Sequence, residues 1–381
     1  MTDISNSPTA GYPIQAKKKK WVNWKKLGNL VALFCFLLYG LVCLVPYLPA
    51  GKFWPIALLG YVFPFLLLVI FFIILVLAIR RSRWVIVPVL VLLLGWQQIR
   101  AVFAFHFFTK SFASSKPAGT LRVMLWNVSA WDQVPVSGKD TLSYRNQMME
   151  VVDQLQADVL CLQEFFEPNN SRHFSSNIAV LKEKGYLYHH FYPKSVTYSG
   201  RRLVGMIILS KFPIVDSSTV KFENTPHSEG LISADIRVND QVIRVFSTHL
   251  ESSRTGGRGA ASAVGKAKNV VSRLKLAYSY RTTQALLVRK TIDQSPHPVV
   301  VCGNLGDLPN SYAYFKVGEN LQDAFLKKGA GFGRTFRFLS PTVRVDYIFA
   351  DKKFAVDQFN IPDVIYSDHY PLIADLHLGE P

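Results

Sequence analysis

Between Pro55 and Ile79 the chain runs for 25 residues without a single charge, and this stretch limits its fold more than any other feature. About 20 apolar residues in a helix, at ~1.5 Å each, cross the ~30 Å hydrocarbon layer of a bilayer. A core helix of a soluble domain needs some polar face, and this segment has none. Gly60 and Pro64 within it are tolerable in a membrane helix. Leu27–Gly51 is also uncharged, and Leu30–Leu48 gives 19 mostly apolar positions. A Pro/Gly turn with Lys52 joins the two runs, and Arg80, Arg81 and Arg83 close the second. A third apolar segment follows, with Trp84 and Trp96 placed for interfacial anchoring. Gln97, Gln98 and Arg100 weaken it. A cleaved signal peptide fits the first run poorly, because the run is long and a second follows at once.

The pattern predicts a basic cytoplasmic tail over residues 1–26 and a transmembrane region over 27–109, with spans at about 30–48, 55–79 and 84–106. A Ser/Ala/Pro/Gly-rich linker covers 110–120, and a domain occupies 121–378. The Lys17–Lys20 cluster with Lys25 and Lys26, and the Arg80–Arg83 cluster, both belong on the cytoplasmic side. The expected location is the inner or plasma membrane. If the third segment crosses, the domain lies outside the cytoplasm; if it lies in the interface, the domain stays inside.

Charge bears on partners only once it is divided. The 43 Lys and Arg exceed the 26 Asp and Glu by 17, a balance that invites a nucleic-acid reading. Residues 1–116 hold 13 of the basic residues and one acid, Asp3, so most of the excess marks membrane topology. A 49% hydrophobic content excludes intrinsic disorder, and four cysteines exclude a disulfide-stapled mini-protein. Cys161 and Cys302 sit in apolar, strand-like runs and read as buried.

Beyond the linker the pattern changes to strands alternating with helices, which predicts a layered α/β domain. Strands are expected at Leu121–Val128, Val159–Leu162, Gly205–Leu209, Leu231–Ile236, Val242–Thr248, Val299–Cys302, Val343–Phe349 and Leu372–Leu376. Helices are expected at Tyr144–Gln156, Ser175–Lys184 and Val270–Asp293. Several strands finish in polar residues: Asn127, Glu164, His249 and Asn304. Asp346 interrupts an apolar run, and Asp368 and His369 precede the last strand. Polar groups at strand ends build sites in a sheet's crevice. This oxygen-rich inventory suits a hard ion, Mg²⁺ or Mn²⁺, and not structural zinc. Glu164 and Asn127 are oxygen donors for such an ion, and His369 with Asp346 suits acid–base or charge-stabilising work on phosphate. Each residue also has a plainer reading. His249 suits a core hydrogen bond, Glu164 a cap, and Asp346 an ion pair with Arg344 or Arg337.

These residues, in this order, resemble the endonuclease/exonuclease/phosphatase superfamily. The resemblance runs from Leu121 to His377. It rests on Trp126-Asn127, Leu162-Gln163-Glu164, Leu209–Ile214, Thr248-His249-Leu250, Gly303–Ser311, Val345–Ile348 and Ser367-Asp368-His369. It implies a four-layer α/β sandwich of two packed mixed β-sheets flanked by helices, here preceded by two to three transmembrane helices. It implies Mg²⁺-dependent (or Mn²⁺-dependent) hydrolysis of a phosphate ester by activated water. Glu164 then resembles the main metal ligand with Asn127 and Asp368 nearby. His369 resembles the catalytic histidine, oriented by Asp346, and His249 a second phosphate-facing histidine.

One motif departs from the family. Its Gly-Asp-x-Asn reads Gly303-Asn304-Leu305-Gly306 here, so Asn304 stands in place of the water-activating Asp and Gly306 in place of an Asn. An amide cannot accept the water's proton, and losing a general base typically costs ~10²–10⁴-fold. Asp307 lies three residues off register and compensates only if the loop bends differently. Two functions follow: a membrane-anchored metal-dependent phosphodiesterase or phosphatase, and a pseudo-enzyme that binds phosphorylated ligands or a partner. The substrate class stays open among nucleic acid, nucleotide and phospholipid head group. Ser252–Ile292 carries nine Lys/Arg and no acid, beginning with a loop in which Arg254 and Arg258 are candidate phosphate contacts.

Overall fold

The computed structural model describes residues 24–107, 112–133, 143–169, 174–197, 202–223, 225, 228–252, 263–338 and 342–379. The tail and its Lys17–Lys20 cluster, the start of the linker, and Arg254 and Arg258 lie outside these residues.

The first strand of the two large sheets, Leu121–Asn127 (β1), is buried at every position. Val123 and Leu125 face the space between two sheets, and Met124 and Trp126 face a helix layer. That is the two-residue period of a strand covered on both sides, and it explains why such strands read as unbroken apolar runs. β1 pairs in parallel with Val159–Pro168 (β2), which sets Asn127 beside Gln163. The remaining strands are Tyr188–Thr197 (β3), Arg202–Ser210 (β4), Ile214–Val220 (β5), Gly230–Val238 (β6), Gln241–His249 (β7), Val299–Asn304 (β8), Leu321–Asp323 (β9), Asp346–Asp351 (β10), Phe354–Asn360 (β11) and Leu372–Leu378 (β12). One six-stranded sheet has the order β9-β10-β8-β7-β6-β5, the other β11-β12-β1-β2-β4-β3. Each contains one parallel pair, β7–β8 and β1–β2.

The two sheets pack through a shared core that includes Cys161 and Cys302. Helices Arg145–Leu155 and Asn177–Glu183 cover one outer face. The 31-residue helix Ala263–Asp293 and Tyr312–Val317 cover the other. The expected four-layer sandwich is therefore the observed one.

The amino-terminal segment forms a helical bundle: Trp24–Cys43 (α1), Phe63–Ile79 (α2), Ile86–Leu94 (α3) and Trp96–Val102 (α4). Lys26–Tyr47 and Trp54–Ile79 are long and apolar enough to cross a membrane. The third expected span departs from a simple crossing helix. Arg83–Leu94 and Trp96–Val102 meet at a 62° bend, and Ala104–Phe105 pairs as a strand with Ala330–Gly331. The bend falls at Gly95, where a Cβ would lie 2.0 Å from the Tyr39 hydroxyl oxygen. Tyr39 stacks on Phe63 at 5.7 Å and donates to the Leu92 carbonyl at 3.0 Å. These contacts join the end of α1, the start of α2 and the end of α3, so α2 runs against the other two. The start of α1 and Arg80–Arg83 therefore sit at the bundle end away from the sandwich.

The near end is fastened to the sandwich by polar contacts. Arg344 Nη2 donates to the Ala101 carbonyl at 2.6 Å, Gly51 N to Thr282 Oγ1 at 2.9 Å, and Asn310 Nδ2 to the Gly60 carbonyl at 3.1 Å.

Candidate active site

The site lies at one end of the sandwich, where β1, β7 and β8 finish and β10 and β12 begin. In register, Asn304 is flanked by His249 on β7 and Asp346 on β10. The parallel pairs carry their chain ends to the same edge, so residues far apart in sequence converge.

His369 Nδ1 lies 2.8 Å from Asp346 Oδ2, with both residues buried. Thr335 Oγ1 fixes Asp346 from behind by accepting from the backbone N–H groups of Val345 and Asp346, at 2.9 and 3.2 Å. Trp126 Nε1 donates to the His369 carbonyl at 2.9 Å, and Ser367 Oγ donates to the Asn127 carbonyl at 2.7 Å. Burial opposes charge on His369. The charge and hydrogen bond of Asp346, with help from Asp368 and Glu164, outweigh it and push the imidazole up to about 9. The alternative partners of Asp346 are engaged elsewhere. Arg344 pairs with Asp323 at 2.5 Å, and the Arg337 guanidinium binds the carbonyls of Ile365 and Ser367.

A second histidine–carboxylate pair stands on the other side of Asn304. His249 Nδ1 lies 3.0 Å from Glu229 Oε2, and the same oxygen accepts from the backbone N–H of Glu164 at 3.1 Å. Burial opposes charge on His249, but Glu229 and then Glu164 raise it above the ordinary value. Glu229 was not among the sequence candidates. Gly230 pairs with His249 across the β6–β7 hairpin, and Glu229 precedes it, with its N–H on the His249 carbonyl at 3.1 Å. Only the hairpin register reveals that neighbour.

Glu164 sits where the β2–β4 register shifts, at φ +47°. A non-glycine residue in this region costs ~1–3 kcal/mol and persists where the surroundings hold it. The bulge re-aims its carboxylate, which accepts from Asn127 Nδ2 at 3.1 Å. Asn127 Oδ1 accepts from the N–H of Ser129 at 3.0 Å. Asp368 is half-buried beside His369. Among the described residues no group of three or more His, Cys, Asp or Glu is arranged to hold a metal. Asn127, expected as a ligand, turns its amide NH₂ and not its oxygen to Glu164. The carboxylates of Glu164 and Asp368 fit Mg²⁺ chemistry, because that ion commonly takes one or two carboxylates and keeps waters or substrate oxygens.

Asn304 brings no carboxylate to the centre. Its Oδ1 accepts from the N–H of Gly306 at 3.1 Å, which leaves the amide NH₂ as its remaining polar group. Gly306 has φ +58°, and a Cβ there would lie 3.2 Å from the Glu251 carbonyl oxygen. Asp307 turns its carboxylate to the buried Arg281, with Oδ2 3.2 Å from Nη1. Burial raises Asp307 above the usual carboxylate range, and Arg281 offsets part of that. Arg289 is likewise buried and binds the carbonyls of Val317 and Glu319. The basic stretch after His249 is thus partly structural, since Arg281 and Arg289 are buried in the fold.

Residues 135–369 match the family model described as the Endonuclease/Exonuclease/phosphatase family, and residues 25–102 match one described as a domain of unknown function. No curated protein matches the chain. Among solved structures it is similar to an endonuclease/exonuclease/phosphatase from Beutenbergia cavernae, at 23% identity and a TM-score of 0.49 over 68% of this chain and 72% of that one. The human Nocturnin catalytic domain with bound sulfate gives 21% and 0.49 over 68% and 93%. Sphingomyelinase C from Streptomyces griseocarneus gives 17% and 0.45 over 67% and 99%.

Proposed function

The chain belongs to the Endonuclease/Exonuclease/phosphatase family, and from that premise we propose that it is a membrane-anchored, divalent-metal-dependent phosphoester hydrolase. Members of this family are usually hydrolases of phosphoesters and generally use divalent ions. The observation that carries the reading is the pair of histidine–carboxylate couples, His369–Asp346 and His249–Glu229, converging at one strand edge beside Glu164.

In this reading Asp346 holds Nδ1–H of His369 and turns Nε2–H toward a phosphate oxygen. The raised pKa keeps that proton in place at neutral pH and stabilises charge that develops on the phosphoryl group. Glu229 does the same for His249. Asn304, through its amide NH₂, is a hydrogen-bond donor to phosphate and not a base. Glu164 and Asp368, with Asn127 steadying Glu164, would hold Mg²⁺ or Mn²⁺, which supplies positive charge to polarise the ester. Arg254 and Arg258 are proposed as further phosphate contacts. Without the acid at position 304, turnover is expected to be slower by ~10²–10⁴-fold than with a general base there.

The two long apolar helices support anchoring through residues 27–109, with the domain over 121–378. Lys26 and Arg80–Arg83 lie at the bundle end away from the sandwich, which by the positive-inside rule supports a domain outside the cytoplasm. A panel of phosphodiesters, nucleotides and phospholipids incubated with the full chain and Mg²⁺ or Mn²⁺ tests the activity. No metal-dependent turnover on any of them would sink it. Asn304, Gly306 and the commitment of Asp307 to Arg281 favour a second reading, a phosphate-binding pseudo-enzyme. That reading predicts metal-independent binding of a phosphorylated ligand and no turnover that His369→Ala can abolish.

A further inference from the structure

Where the head of α2 meets the active-site loops there is a crevice of about 300 Å³. Its bundle side includes Tyr61, Pro64 and Phe65, and its domain side Leu308, Pro309 and Val343. Among the described residues, none of its lining side chains carries a charge. The segment after Asn304 thus forms one wall, tied to the bundle by the Asn310–Gly60 hydrogen bond.

The crevice adjoins the site through packed apolar side chains. Leu308, Val343 and Val345 form a small buried cluster, and both Tyr61 and Phe336 pack against it. The ring of Phe336 stands edge-on to the His369 imidazole at 5.0 Å, and the two residues are bridged through their backbones. An apolar wall therefore runs from α2 to His369. On the outer side, Phe65 is 58% exposed at the head of a helix whose Leu68 and Phe72 are equally exposed. In a bilayer those side chains face hydrocarbon, so the crevice opens on the leaflet that adjoins the domain.

We propose that this crevice holds the hydrocarbon chain of a membrane lipid whose phosphate ester enters the site, which makes the substrate a lipid phosphoester. The proposal rests on the hydrolase reading for the reaction and on the crevice for the substrate. Continuity with the lipid-facing surface of α2 argues for a lipid chain, and the lack of any cation in the lining argues against a nucleic-acid strand there. In hydrolysis the oxygen of water bonds to phosphorus and one P–O ester bond breaks. One water proton ends on the departing alcohol and the other is released.

The test is binding of butyl, hexyl and octyl phosphate to the full chain held in amphipol. Burying each added methylene should tighten binding roughly fourfold. Val343→Phe fills the crevice and should flatten that slope. Phe65→Ala, at an exposed position that folding tolerates, should also lower it and serves if Val343→Phe does not fold. A flat series in the wild type, a slope unchanged in both variants, or tighter binding of a single-stranded oligonucleotide than of octyl phosphate overturns the proposal. Cleavage of the water-soluble bis(4-nitrophenyl) phosphate keeps the two claims apart. Cleavage with a flat series removes the crevice and keeps the hydrolase. A steep series that Val343→Phe abolishes, with no ester cleaved, keeps the crevice and removes the hydrolase.

Discussion

Asp307 Oδ2 meets Arg281 Nη1 at 3.2 Å in a buried ion pair, three residues beyond Asn304. The same guanidinium group donates to the Gly306 carbonyl at 2.6 Å. The pair braces the Asn304 loop against the long helix Ala263–Asp293, next to Tyr278, which stacks under Arg281 at 4.8 Å. The acid nearest the missing base thus has a structural task. Asp307→Asn should leave Arg281 buried with its charge unmatched and destabilise the domain by about 3–5 kcal/mol. Chemical denaturation measures this. Turnover by the protein that remains folded should keep its metal and pH dependence, and a selective loss of turnover without loss of stability would make Asp307 the base after all.

Asn304 lies between two histidines that carry raised pKa values. A carboxylate there could take the water's proton. Asn304→Asp should raise kcat, by up to about 10²-fold if proton removal limits the rate. Steady-state rates on one phosphodiester decide this, and an unchanged or lower kcat would mean that the amide is the better group at this position.

The His369–Asp346 pair has a definite pH signature in metal-free protein. The folded pKa of about 9 lies above the ordinary histidine value of 6.5. Its stabilisation is therefore complete below about pH 6.5 and is lost as pH rises through 9. Thermal unfolding in the presence of a chelator should show Tm falling between pH 7 and 9.5. Asp346→Asn should remove most of that slope, and an equal slope in both proteins would place the titration elsewhere.

Gly95 tests the geometry of the bundle. The Tyr39 hydroxyl occupies the space that a Cβ would need, 2.0 Å away. Gly95→Ala must displace Tyr39 from Leu92 and should cost ~1–3 kcal/mol, the usual range for overpacking. Unfolding of the full chain in detergent measures it. The double variant Gly95→Ala with Tyr39→Phe should recover only a small part of the loss, since it removes the hydroxyl at 2.0 Å and leaves the ring carbon Cζ at 2.5 Å.

The sequence made the buried centre of each sheet legible and hid the rims. β1, β8 and β12 are apolar runs because both faces are covered. Within the two six-stranded sheets, the four strands not anticipated, β3, β5, β9 and β11, are the four edges. β5 reads Ile-Val-Asp-Ser-Ser-Thr-Val and is mostly exposed, so it lacks the signal that burial imposes. Glu229 was invisible for a different reason: its partner His249 is reached through hairpin register and not through spacing. Of the nine cations of Ser252–Ile292, Arg281 and Arg289 turn inward to Asp307 and to backbone carbonyls. Net charge counts such residues without showing where they point. Composition gives the length of the third apolar segment but not the 62° bend within it, which falls at Gly95.

The central claim is metal-dependent phosphoester hydrolysis carried by His369 and Glu164. Its most direct test is the rate of bis(4-nitrophenyl) phosphate cleavage by the full chain with Mn²⁺, compared with His369→Ala, Glu164→Gln and the wild type in chelator. The account predicts measurable turnover in the wild type. It predicts a fall of at least about 10²-fold for His369→Ala, and no cleavage above background in chelator or for Glu164→Gln. Wild-type turnover that persists unchanged in chelator, or that His369→Ala leaves intact, would contradict it.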